Sequence, residues 1–216
     1  VYTSDHGDML GEHGLWFKNA AYENSSRVPW LIAGAGIEAR RIGEVVSLLD
    51  LGPTLCGLAG VESGDAYSDG RDLSDLLRGG RAESAGQAIC ENYGEGIWRG
   101  WRMIRRGPHK LTCVPGCEPE LYDLSSDPGE WTNLAGDPAC ADVRRDLEQA
   151  VLHEWDPDAT DEKRWRSEER RKAILAAWGA STGPDWQAAA SRPPHPLGYR
   201  PYGPQGRPSL DRTDGI

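Results

Sequence analysis

Between residues 5 and 18 the chain reads DHGDMLGEHGLWFK, which gathers three carboxylates, two histidines, one lysine and three glycines. Asp5 and His6 are the first candidates for chemistry. An Asp oxygen and a His nitrogen side by side on a tight turn can face one divalent ion, and Gly7 lets the backbone turn there. Two donors do not complete a coordination sphere, and no second acidic cluster of the sequence has a comparable context. Taken alone, the pair fits a polar turn with an N-capping Asp better than a metal site. Lys18 shifts that balance. An ammonium delivered beside a divalent ion suits an anionic substrate such as sulfate or phosphate, because both positive centres stabilise charge on its oxygens. The plain alternative is a surface lysine. His13, within GEHG, is a candidate acid or substrate contact, and equally a structural histidine bonded to a loop carbonyl. Asp8 and Glu12 read as solvated or loop-bracing carboxylates.

A site of this kind must hang on ordered elements. VYTS (1–4) reads as the end of a strand, and open α/β sheets place ligands beyond the carboxyl ends of their strands, where Asp5 and His6 stand. NAAYENSSR (19–27) predicts a short helix or turn, closed by the residue before Pro29. PWLIAGAG (29–36) is a continuous apolar run, the pattern of a buried, parallel strand. EVVSLLDLGPTLCGLAG (44–60) predicts a helix starting near Asp50, so that Pro53 falls in its first turn. Ser47 or Asp50 would cap it and Gly60 would close it, with Cys56 as an inert core thiol.

LSDLL (73–77) predicts a further short helix. The runs at 86–93, 98–106, 109–114 and 119–124, separated by Gly and Pro, predict an antiparallel sheet. Segments 141–155 and 161–178 predict helices, the second with a solvated face of mixed charge. From Gly179 onward Pro, Gly and Ser dominate, which predicts an extended or disordered tail unless a partner subunit orders it. The expected fold class is α/β passing into a smaller α+β part with an antiparallel sheet, divided as 1–85, 86–156 and 157–216.

Composition narrows the function. The net charge is −10, from 24 basic and 34 acidic residues, which argues against a general affinity for nucleic acid. No apolar run approaches the ~20 residues that span a bilayer. Five cysteines are odd in number and lack a framework, so free thiols in a reducing, cytoplasmic setting are expected. There is no G-x-S-x-G, Walker-type loop or G-x-G-x-x-G, so no strong nucleophile or nucleotide cradle is in view. The chain starts inside a strand pattern without Met or signal-like residues, which leads us to expect the C-terminal portion of a longer protein.

TSDHGDMLGEHGLWFK, YENSSRVPWLIAGAG and VSLLDLGPTLCGLAG, followed by WRMIRRGPHKL and ELYDLSSDPGEWTNLAGDP, together resemble the type I sulfatases of the alkaline phosphatase superfamily. The resemblance runs from Val1 to about Pro138. It implies part of an alkaline-phosphatase-like sheet followed by that family's C-terminal subdomain. It also implies that Asp5 and His6 are metal ligands, for Ca2+ first and Mn2+ or Mg2+ as alternatives. Lys18 would contact the sulfate of a small sulfate ester, and His13 stands at a common loop position without a firm role.

In such enzymes a formylglycine, made from Cys or Ser in C/S-x-P-x-R, is the hydrated nucleophile. No Cys or Ser of this sequence stands in that motif, so these residues by themselves are expected to be inactive. A phosphodiester or phosphonate monoester hydrolase of the same superfamily, and a non-catalytic assembly module, are the competing readings. Residues 154–187 resemble the C-terminal extension of choline-sulfatase-like members, where the tail helps subunits associate; this implies a homo-oligomer. A quaternary ammonium substrate would suit aromatic and acidic residues, for which Glu95, Trp98 and Trp101 are candidates, with buried packing the plainer reading of either Trp.

Overall fold

The computed structural model describes residues 1–37, 39–64, 69–81, 86–94, 97 and 99–179. Tyr2–Thr3 (β1) is the strand expected at the start. It pairs antiparallel with Trp30–Leu31 (β2), Tyr2 opposite Leu31 and Thr3 opposite Trp30. This corrects the expectation of a buried, parallel strand over 29–36, because only two of those residues pair and Leu31 is 59% exposed. The physical reason lies in the connection. A parallel pair needs a long crossover, usually a full helix, whereas between β1 and β2 stand only a 3-10 turn at Glu12–Gly14 and the four-residue α-helix Glu23–Ser26 (α1). It stops where expected, with Arg27 already extended ahead of Val28 and Pro29.

Leu51–Ala59 (α2) follows a 3-10 turn at Leu48–Asp50. Ser47 and Asp50 both act as caps, reciprocally: Ser47 Oγ accepts from Leu49 N at 3.3 Å, and Asp50 Oδ2 accepts from Ser47 N at 3.0 Å. Pro53 lies in the first turn, where its missing N–H has no helical partner to lose. Gly60, at φ 71°, ends the helix. The buried Asp50 also accepts from Arg71 N and Arg71 Nη2, each at 2.8 Å. That pairing fastens the segment leading to Ser74–Leu77 (α3) against α2. Cys56 is half-buried.

Gln87–Asn92 (β3), Trp101–Arg106 (β4), His109–Cys113 (β5) and Glu120–Asp123 (β6) form the expected antiparallel sheet in simple chain order. Register places Ile89, Ile104, Leu111 and Leu121 in one row across all four strands. Ala141–Leu152 (α4) covers that row, and Leu147 and Val151 complete a core with Ile104, Leu111, Leu121 and Ala135. Successive side chains alternate between faces, so Lys110 points to the opposite face, where it is fully buried. The fold is thus mixed α/β with antiparallel sheets.

Pro157–Gly179 (α5) is a 23-residue helix. Two compact units divide the chain, Val1–Glu162 and Lys163–Ile216. In the second, Lys172 pairs with Glu168 at 3.1 Å and Glu169 at 3.2 Å, as a solvated helix face would. The tail expected beyond Gly179, with any role in oligomer formation, lies outside the described residues. Among those described, no helix is long and apolar enough to cross a membrane. All five cysteines are free, and burial pushes the Cys113 thiol up to about 11, which keeps it protonated and unreactive at neutral pH.

On the buried face, Lys110 Nζ lies 2.8 Å from Glu130 Oε1 and 3.1 Å from Glu23 Oε1. Removing one partner of such a cluster strands the other charges. Lys110→Met is therefore expected to lower stability by about 3–5 kcal/mol. Breaking the exposed Asp142–Arg145 pair with Arg145→Ala should cost no more than about 1 kcal/mol. Urea midpoints of the two variants check the contrast.

Candidate functional site

Asp5 and His6 follow β1 after one residue, Ser4, and their geometry is set by three contacts. Asp5 Oδ1 accepts from His6 N at 3.0 Å, which leaves Oδ2 facing His6 Nε2 at 3.5 Å. His6 Nδ1 lies 2.8 Å from the Gly7 carbonyl. A carbonyl only accepts, so in the neutral ring Nδ1 carries the proton and Nε2 presents a lone pair beside Oδ2. Two donors 3.5 Å apart, each about 2.1–2.4 Å from an ion, subtend about 100° at it, an angle that suits a shared divalent metal. The pair fits such an ion chemically and geometrically. Among the described residues, no group of three or more His, Cys, Asp and Glu side chains could hold a metal, so Asp5 and His6 could supply only part of a donor set.

The turn is built against α1. Gly7 N donates to the Ser25 carbonyl at 2.8 Å. A Cβ on Gly7 would lie 2.0 Å from Asn24 O, so no larger residue fits this approach. Beyond it Met9 is fully buried, while Asp8 and Glu12 are exposed. Gly11 takes φ 103° and His13 φ 51°, so the loop doubles back sharply on itself.

That reversal seats His13 between two aromatic rings. Its imidazole stacks on Tyr22 at 4.1 Å and on Trp131 at 4.3 Å, and its Nε2 lies 2.9 Å from the Gly129 carbonyl. The carbonyl-bonded histidine is thus the arrangement present. His13 clamps the loop to the segment after β6, away from the Asp5–His6 pair in its bonding.

Lys18 is exposed, yet its backbone is held. Its carbonyl accepts from the buried Ser25 hydroxyl, and the next carbonyl, of Asn19, accepts from Trp101 Nε1 at 3.2 Å. Trp101 is 8% exposed with its N–H so engaged; it packs rather than lining an open ammonium pocket. Glu95 and Trp98 lie outside the described residues.

The structure brings forward residues that motif reading passed over. Glu23 accepts from Lys110 at 3.1 Å and from Arg105 Nη1 at 2.8 Å. Glu130, 3% exposed, accepts from Glu23 N at 2.6 Å. Ser26 Oγ lies 3.3 Å from Lys110 Nζ. No local signal marked Lys110: alternation in HKLTCV sets it on the face opposite Leu111, which a half-buried strand would turn to solvent. Nearby, burial raises the Tyr22 and Tyr122 phenols, with the Glu120 carboxylate adding to both. Both therefore stay protonated as the rings that back His13 and α1.

Residues 11–156 match the family described as N-sulphoglucosamine sulphohydrolase, C-terminal. The chain is 37% identical over 185 residues to the choline-sulfatase of Rhizobium meliloti (strain 1021), an alignment covering 82% of this chain and 35% of that protein. Its structure is similar to that of a 2-O GAG sulfatase, with a TM-score of 0.63, 31% identity, and 76% of this chain and 37% of the other covered. It is also similar to the phosphonate monoester hydrolase of Agrobacterium radiobacter, with a TM-score of 0.57, 29% identity, and 71% and 34% covered. The chain thus spans about a third of the length of the proteins it matches.

The His13 contacts carry a test. His13→Ala removes two ring contacts and one hydrogen bond, and is expected to cost about 2–3 kcal/mol. Faster limited proteolysis within residues 8–18, together with a lower urea midpoint, would show the clamp. Unchanged protection would refute it.

Proposed function

The chain belongs to the sulfatase family, matching its N-sulphoglucosamine sulphohydrolase C-terminal domain, and on that premise we propose that it is part of a sulfuric ester hydrolase acting on a small, anionic sulfate ester. The observation that carries this reading is the convergence of Asp5 Oδ2 and His6 Nε2 at 3.5 Å on a turn held by Ser25, the same residue that holds the Lys18 backbone.

Asp5 and His6 would hold the divalent ion, Ca2+ first and Mn2+ or Mg2+ as alternatives. When bound, the ion supplies Lewis-acid polarisation of the ester's sulfur–oxygen bonds. Lys18 places an ammonium on the sulfate oxygens, where charge builds up in the transition state. His13 acts on the loop's geometry rather than on the ester. The nucleophile is the formylglycine that the family makes in C/S-x-P-x-R, a motif outside these residues, so the 216 residues alone do not turn over substrate. Neither nucleic acid nor a membrane is a partner in this reading. A homo-oligomer assembled through the C-terminal tail and a cytoplasmic setting complete it.

The similarity to a phosphonate monoester hydrolase supports a second reading, hydrolysis of a phosphonate monoester or phosphodiester. Sulfate and phosphate esters both suit a lysine beside a divalent ion. The two readings separate on the whole protein by kcat/KM for an aryl sulfate against an aryl phosphodiester. Preference for the phosphodiester would favour the second. In either case Asp5→Asn and Lys18→Ala should each lower kcat/KM by about 10²–10³, with the circular dichroism spectrum unchanged. Near-normal turnover in both variants would refute the site.

A further inference from the structure

Lys18 is exposed and its side chain sits on a loop rich in glycine, which is a poor way to aim an ammonium. Its backbone is treated differently. Two consecutive carbonyls, of Lys18 and Asn19, accept hydrogen bonds from two buried side chains, the Ser25 hydroxyl and the Trp101 indole N–H. Ser25 is 2% exposed and Trp101 8%. They come from different elements, α1 and β4, so the two successive peptide planes that follow Lys18 are each fixed, the first from α1 and the second from β4.

α1 is itself anchored to the sheet by Glu23 and Ser26 on Lys110, and its Ser25 carbonyl holds Gly7 of the Asp5–His6 turn. Both halves of the proposed site are therefore referred to one four-residue helix.

We propose that Ser25 and Trp101 are positioning residues for Lys18, fixing the backbone from which its ammonium reaches the substrate's sulfate group. The inference rests on the reading that Lys18 contacts that group. A buried hydroxyl and a buried indole N–H aimed at loop carbonyls satisfy those carbonyls while removing two backbone degrees of freedom beside the lysine. Catalytic groups lose rate steeply when displaced by as little as 1 Å, so loosening either bond should act on the reaction through Lys18. The metal half should be spared, because Gly7 bonds to the backbone carbonyl of residue 25, which Ser25→Ala retains.

The test uses the whole protein, an aryl sulfate as substrate and inorganic sulfate as competitive inhibitor. Ser25→Ala and Trp101→Phe are each expected to lower kcat/KM about tenfold and to weaken inhibition by sulfate about as much. The metal concentration restoring half-maximal activity after chelation should stay within about twofold. In a Lys18→Ala background neither substitution should lower turnover further, because each acts through the missing side chain. Wild-type kcat/KM in both single variants, or losses that add to that of Lys18→Ala, would overturn the inference. Should Ser25→Ala not fold, Trp101→Phe decides by the same criteria. If Lys18→Ala itself has wild-type activity, the Lys18 reading falls and this inference with it. A crippled Lys18→Ala beside unaffected Ser25→Ala and Trp101→Phe overturns the positioning role alone.

Discussion

One buried lysine holds the first unit of this protein together. Lys110 sits in the middle of an antiparallel sheet with no exposed surface, on the face away from the apolar core. Burying its ammonium is tolerable only because Glu130 and Glu23 meet it at 2.8 and 3.1 Å. Arg105 balances the second carboxylate at 2.8 Å, so two cations face two anions. A neutral apolar cluster of the same shape could be as stable. What the charges add is specificity: α1 can dock on the sheet in the register that pairs Glu23 with Lys110, and a slipped register leaves buried charges unpaired.

The site inherits its geometry from that docking. Glu130 adopts φ 58°, unusual for a residue with a side chain. Its carboxylate bonds to Lys110 and to the Glu23 amide hold it there. The neighbouring Gly129 offers its carbonyl to His13, and Trp131 stacks on the same ring. The loop carrying Asp5, His6 and Lys18 is thus held at two places, through α1 docked on the sheet and through His13 clamped to the segment after β6. The sheet of this sulfatase-family domain thus supplies the reference frame for the turn of Asp5 and His6 and for the backbone of Lys18.

Much of the fold was legible in the chain, and the reasons differ by element. The sheet over residues 87–123 follows from short apolar runs cut by Gly and Pro, and α4 from its helical spacing. The capping of α2 follows from Ser47, Asp50, Pro53 and Gly60, whose chemistry is local. The pairing of β1 with β2 did not follow, because an apolar run states a need for burial without stating the direction of its neighbour. Of the proposed site, the candidates Asp5, His6 and Lys18 are named from residue type and spacing. His13 stayed ambiguous because its partners, Tyr22, Gly129 and Trp131, are local in one case and more than a hundred residues away in the others.

The sequence by itself determined the elements, the candidate donors and the family, since each depends on local pattern or on motifs read along the chain. Only the tertiary structure decided how those donors are held. Lys110, Glu23, Glu130, Ser25 and Trp101 belong to no motif, and each is ordinary where it stands in the chain. Their roles arise from contacts spanning up to 107 residues, as from Glu23 to Glu130, and such pairings exist only once the sheet and α1 have closed on one another.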